Sequence, residues 1–170
     1  MNRILTKSPE DFLLFNSNLE VALRILVLLS QDSSNTYDLD RLVIFDYFII
    51  HANDIDSGQT NLHPSLPLRG SEIIIKRKLI SEGLDLLVSR GLIEILYEDS
   101  GVYYKSNSLT KMFVELLKSD YFMILKKLSS WVAEKYRSIE TSELNSIVNK
   151  NIQQWGGEFE FESLVRGNYE

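Results

Sequence analysis

The spacing of apolar residues changes abruptly at Arg90-Gly91, and that change restricts the available folds more than any other feature. Before it, Ile74, Ile75, Leu79, Ile80, Leu84, Leu87 and Val88 recur every three or four residues, which predicts a helix opening at Ser71-Glu72. Gly91 ends it. After it, residues 92–97 and 102–105 are rich in β-branched and aromatic side chains and flank Glu98-Asp99-Ser100-Gly101, a turn of hairpin length.

Two more helices precede this switch. Ser17-x-x-Glu20 is a capping box, in which each side chain bonds the other residue's free amide, and it opens a helix to about Gln31. Leu19, Ala22, Leu23, Leu26 and Leu29 form one stripe on it, and Val21, Ile25 and Leu28 a second. A helix apolar over most of its circumference is a central one. Asp38 then caps a helix to about His51 carrying Leu39, Leu42, Val43, Tyr47 and Ile50. A shorter helix is expected from Ser8-Pro9-Glu10-Asp11. Three helices followed by a hairpin is the order of a winged helix, so the expected fold is mainly α with one small β-hairpin, the winged-helix-like core spanning 1–107.

A helical extension over 108–155 is expected to pack on that core. Ser108 is the expected cap of a helix bearing Leu109, Met112, Phe113, Leu116 and Leu117. Ser119-Asp120 restarts the pattern on Tyr121, Leu125, Leu128, Val132 and Tyr136, with Trp131 beside the seam. Thr141 or Ser142 caps a last helix with Leu144, Ile147 and Val148. The tail, 156–170, alternates through Glu158-Phe159-Glu160-Phe161-Glu162. It reads as a peptide that adds to a partner's sheet edge, as a strand of this domain's own sheet, or as a disordered end. Between Ala52 and Gly70, Gly58, Pro64 and Pro67 leave no regular element expected.

The 170 residues suffice for a core without staples. Absence of Cys removes disulfides, thiol nucleophiles and Cys-ligated zinc, which suits a reducing cytoplasm. Met1-Asn2-Arg3-Ile4 lacks an export signal's apolar run, and no span of membrane length occurs, so a cytoplasmic location without membrane attachment is expected. No phosphate-binding glycine loop, nucleophile elbow or HExxH is present, and neither catalysis nor a cofactor is expected. The net charge of −6 opposes long-range attraction to nucleic acid.

Four groups of residues bear on function. Arg69, Lys76, Arg77 and Lys78, less Glu72, place +3 where a winged helix presents its recognition helix, as a contact for DNA or a partner or as a solvated face. Trp131, Trp155, Phe159 and Phe161 are aromatic anchors for a partner. Asp46, inside an apolar helix, needs a partner if buried, and Arg69 or a backbone amide of the long loop would supply it; Asp46, His63, Pro64 and Arg69 are then loop-holding residues. His51, Asp54, Asp56 and His63 are metal-ligand types, but they lack the i, i+4 spacing that fixes two ligands on one helix face. His51 bonding its helix's last carbonyls and His63 anchoring the Pro-bearing loop are the preferred roles, and no metal is expected.

The run Leu42-Val43-x-Phe45-Asp46-Tyr47, then Leu62-His63-Pro64-x-x-Pro67-x-Arg69, Lys78-x-x-Ile80-x-x-Gly83-Leu84 and Ser89-Arg90-Gly91-Leu92, resembles the middle component of ABC-three-component systems, including the Lamassu type of bacterial defence. The resemblance covers most of residues 17–137 by order and spacing. It implies a small non-catalytic subunit that links an SMC/ABC-class ATPase subunit to an effector subunit, often a nuclease, reaching DNA through the complex. A winged-helix transcriptional regulator is the alternative.

Overall fold

The computed structural model describes residues 17–63 and 72–154, with side chains from 76 onward in the second stretch and up to 151. Helix α1, Asn18–Gln31, begins at the expected capping box: Ser17 accepts from the Glu20 amide, and the Glu20 carboxylate accepts from the Ser17 amide at 3.1 Å. From Val21 to Leu29 it buries every residue but Leu23, and it packs against four later helices and the hairpin. Leu19 departs from its stripe and is exposed, because it lies in the first turn.

Helix α2, Leu39–Ile50, starts at Asp38, whose carboxylate accepts from the Arg41 amide at 2.8 Å. Every residue from Leu42 to Ile50 is buried, Asp46 included. A one-turn helix, α3, Ala52–Ile55, occupies the start of the segment expected to be irregular. Ala52 is buried and Ile55 packs on the core, so the turn continues the chain inward before Asp56 ends it. Asn53 then ties the loop, its amide donating to Asn61 and its Nδ2 to the Gln59 carbonyl, both at 2.8 Å.

Helix α4, Glu72–Ser89, ends in a Schellman motif: Leu92 donates to Leu87, Gly91 donates to Val88, and Gly91 adopts φ 67°. Gly83 on this helix sits where an added Cβ would lie 3.2 Å from the Ala22 amide nitrogen of α1, so the two backbones meet closely. Strands β1, Ile93–Glu98, and β2, Gly101–Ser106, pair antiparallel from Ile93 with Ser106 to Glu98 with Gly101. Tyr37, between α1 and α2, exchanges two backbone bonds with Tyr104 on the outer edge of β2. The order of helices, bridge and hairpin is compatible with a winged helix.

Helix α5, Ser108–Glu115, is capped by Asn107, one residue before the expected Ser108. Asn107 accepts from the Thr110 amide and donates its own amide to the Thr110 hydroxyl, a reciprocal cap that Ser108 would forfeit. Helices α6, Asp120–Tyr136, and α7, Thr141–Gln154, follow, and α6 lies against α1 and α2. Leu125, Leu128, Val132, Tyr136, Leu144 and Val148 enter the same core as Val21, Phe45 and Leu84, so the interior is continuous from α1 to α7. Arg41 joins the ends: it donates to the carbonyls of Tyr136, Arg137 and Ile139 beyond α6, while its guanidinium lies over Phe45 at 5.4 Å. The described residues form seven helices and one hairpin.

Candidate functional site

Two departures from ordinary side-chain placement are candidates for function: charge inside the core, and a large apolar stripe outside it. The charge is the Arg24–Asp46 pair. Arg24 Nε donates to Asp46 Oδ1 at 2.7 Å and its second terminal nitrogen to Oδ2 at 3.2 Å, with both side chains buried. This bidentate fork supplies the partner that Asp46 required, in place of Arg69, which lies outside the described residues. Burial pushes the Asp46 carboxyl upward, but the charge and hydrogen bonds of Arg24, aided by Lys76 and His63, hold it below the ordinary carboxylate range.

The pair is the centre of a larger polar cluster. Arg24 also bonds the Tyr121 hydroxyl of α6, and burial is the main cause that raises the Tyr121 pKa. His63 reaches the same hydroxyl, with Nε2 at 3.2 Å, and its ring stacks on Tyr121. His63 therefore fastens the start of the Pro-bearing loop to α6; Pro64 lies outside the described residues. Lys76 is 2% exposed and its charge acts on Asp46.

That placement corrects the solvated-face reading of the basic run. A helix turns about 100° per residue, so three consecutive cations cannot share one face. Lys76 points inward, Arg77 is paired with Asp40 of α2, and Lys78 remains largely in solvent, 3.8 Å from Glu82. The metal-ligand types also separate. His51 packs on the Tyr47 ring with Nδ1 3.8 Å from Asp54, Asp56 accepts from Lys135 at 2.9 Å, and His63 turns to Tyr121. Hydrogen bonds to Lys135 and to the Gly58 amide lower the Asp56 pKa. Among the described residues no three His, Asp or Glu side chains gather closely enough to hold a metal.

The apolar stripe is on α5. The helix docks through Thr110 and Val114, and the Thr110 hydroxyl donates to the Leu92 carbonyl at the base of the hairpin. Anchoring by that side turns Leu109, Met112, Phe113 and Leu116 outward, with Met112 63% and Leu116 76% exposed. Met123 and Ile124, on the first turns of α6, are exposed too. Lys126 closes the connection by donating to the Leu117 carbonyl at 2.7 Å. Isolated exposed leucines are ordinary, whereas four apolar side chains at i, i+3, i+4, i+7 have the spacing with which amphipathic helices fill apolar grooves.

Of the aromatic anchors, Trp131 is half-buried and makes an edge contact with Tyr136 at 5.6 Å, with the Lys135 ammonium 5.5 Å from its ring. Trp155, Phe159 and Phe161 lie outside the described residues. Sequence reasoning missed Arg24, although it is the one cation within the apolar stretch of α1, as Asp46 is the one carboxylate within the apolar stretch of α2. It also read residues 109–116 for their amphipathicity without fixing which way the stripe would face.

These features define a mainly α-helical domain with one antiparallel hairpin, a polar latch inside and an apolar stripe outside. The chain belongs to the ABC-three component (ABC-3C) system Middle Component 2 family, whose profile matches residues 14–158. Membership implies further components that this chain works with. No curated protein and no solved structure matches it. Among the described residues no helix is long and apolar enough to cross a membrane.

Proposed function

We propose that this chain is a non-catalytic adaptor that links an SMC/ABC-class ATPase subunit to an effector subunit, a nuclease, within a cytoplasmic defence complex of the Lamassu type acting on phage or plasmid DNA. The observation that carries the reading is the outward stripe of Leu109, Met112, Phe113 and Leu116. A side chain exposing that much apolar surface gains on the order of 1–2 kcal/mol when a partner covers it, and four on one helix face make a docking site. Family membership supplies the setting of several components. The helical extension, 108–155, packed on the winged-helix-like portion, 1–107, supplies partner-binding surface, and the tail from Gly156 is a further partner-binding peptide. DNA is reached through the complex.

The transcriptional-regulator alternative draws less support, because Lys76 and Arg77 are engaged within the domain. The test is recovery of the tagged full chain from its native cell. The ATPase subunit is expected to accompany it in fixed stoichiometry. Recovery of the chain without any ATPase, or turnover of a nucleic acid by the pure chain at enzymatic rates, overturns the proposal.

A further inference from the structure

We propose that residues 3–7, which lie outside the described residues, add to the open edge of β1 as an antiparallel strand of the same chain, with Leu5 opposite Leu96. The proposal concerns the sheet and goes beyond the adaptor reading. Its basis is an edge whose backbone groups and side-chain pattern this segment matches position by position.

The hairpin register identifies the open groups. Tyr104 exchanges two backbone bonds with Tyr37 on the outer edge of β2, so its N–H and C=O point away from β1. Ile95 opposite Tyr104 is therefore in a non-hydrogen-bonded pair, as is Tyr97 opposite Val102, and the backbone groups of both point away from β2. Among the described residues nothing pairs with that side of β1. Side chains alternate along it, with Glu94, Leu96 and Glu98 on one face of the sheet and Ile95 and Tyr97 on the other. Tyr97 is 78% exposed. An open edge with apolar side chains pairs with other strands unless it is covered.

The segment reads Arg3-Ile4-Leu5-Thr6-Lys7. With Leu5 opposite Leu96 and the strands antiparallel, Arg3 meets Glu98 and Lys7 meets Glu94 on one face, while Ile4 meets Tyr97 and Thr6 meets Ile95 on the other. Lys105 approaches Glu94 from the β2 side at 3.5 Å, and among the described residues Glu98 has no cation. A slip of one residue moves both cations to the face of Ile95 and Tyr97, and a slip of two leaves one of them opposite Leu96. The alternating tail does not fit this edge. Placing Phe159 and Phe161 against Tyr97 and Ile95 sets Glu158, Glu160 and Glu162 along Glu98, Leu96 and Glu94.

Chain length selects the direction. Asn18, at the start of α1, donates to Glu82 of α4 at 2.7 Å, and Glu82 lies only about 10 Å along the helix from its end at Ser89, where the hairpin begins. Antiparallel pairing leaves Lys7 beside the base of the hairpin, and the short helix expected to follow it covers roughly 14 Å on the way to α1. Parallel pairing leaves Lys7 at the tip instead, roughly 13 Å farther out along β1.

Amide hydrogen exchange of the full chain, read residue by residue by NMR, tests the pairing, with the Leu96 amide, which faces β2, as the control for an intact hairpin. Ile95 and Tyr97 are expected to be protected like Leu96, and the Leu5 and Leu96 α-protons are expected to show the close contact of a non-hydrogen-bonded pair. In Ile4→Pro, which removes a donor from the ladder, both amides are expected to exchange at least about tenfold faster while Leu96 is unchanged. Arg3→Glu is expected to speed them severalfold, and Arg3→Glu combined with Glu98→Arg to restore them. Open Ile95 and Tyr97 amides beside a protected Leu96 in the wild type, or protection that survives Ile4→Pro, overturns the proposal. Protection that grows with protein concentration assigns the edge to a second copy and overturns it as well.

Discussion

Arg24 is 1% exposed and Leu116 is 76% exposed, so a guanidinium sits where leucine would be at home and a leucine sits in water. Both inversions occur on helices of one domain, yet they answer different demands. Arg24 is enclosed with a carboxylate that meets it in bidentate geometry, and Tyr121 and Lys76 from two other helices close around the pair. Its cost is met inside the chain. Leu116, Met112, Leu109 and Phe113 have no comparable enclosure within the described residues. Buried charge ties α1, α2, α4 and α6 together, whereas the exposed apolar stripe of α5 adds nothing to that arrangement.

The comparison breaks most sharply at the inner pole. Replacing Asp46 with Asn leaves Arg24 buried without its counter-charge and removes the attraction on Lys76, and about 3–5 kcal/mol of stability is expected to go. Urea denaturation measures this. The double variant Arg24→Met with Asp46→Leu is expected to recover part of the loss but not all of it, because Lys76 still lacks the carboxylate. Full recovery would mean that Lys76 draws nothing from Asp46.

How much of this was legible beforehand differs between the two poles. The fold class followed from local rules: the Ser17-x-x-Glu20 box, the Asp38 cap, the Gly91 stop and the change of period at the hairpin all act within a few residues of chain. The Arg24–Asp46 contact spans 22 residues, beyond the reach of local spacing, so the sequence offered Asp46 only Arg69 or a backbone amide of the long loop. Lys76 was read with its neighbours Arg77 and Lys78, although helical rotation separates them. The stripe on α5 was visible as a pattern, but its direction depends on the Thr110 hydroxyl reaching the Leu92 carbonyl, a contact 18 residues away.

Acid sharpens the inner pole further. The native Asp46 pKa is lowered below its ordinary value of 3.8, so the pair contributes stability above that value and loses it as pH falls through the native pKa. Below about pH 4, stability is expected to fall more steeply with acid for wild type than for Asp46→Asn, whose amide does not titrate. Parallel slopes in that range would mean that Asp46 is not held ionised by Arg24.

Between the two poles lies the close contact of α1 and α4. An alanine at Gly83 gains helix propensity, roughly 1 kcal/mol, but its Cβ meets the Ala22 amide nitrogen at 3.2 Å and the Ala22 Cα at 3.3 Å. Those are backbone atoms in the middle of a buried helix and cannot move alone. Overpacking outweighs propensity, and a net loss of about 1–2 kcal/mol is expected for Gly83→Ala in thermal unfolding. An unchanged or raised melting temperature would show that the helices slide apart without cost, and that the latch at Arg24 does not lock them.

The smallest effect on stability belongs to the outer pole. Leu116 follows the last turn of α5, and a glutamate there places its carboxylate in solvent, so Leu116→Glu is expected to change unfolding free energy by less than about 0.5 kcal/mol. A negative charge at a helix C-terminus costs a few tenths of that through the dipole, and removing an exposed apolar side chain costs nothing in the folded monomer. The same change is expected to remove association through this face. A variant that unfolds like wild type but no longer associates separates what holds the chain together from what the chain holds. Loss of stability beyond about 1 kcal/mol would instead mean that Leu116 is covered by its own chain, and the contrast between the two poles would fail.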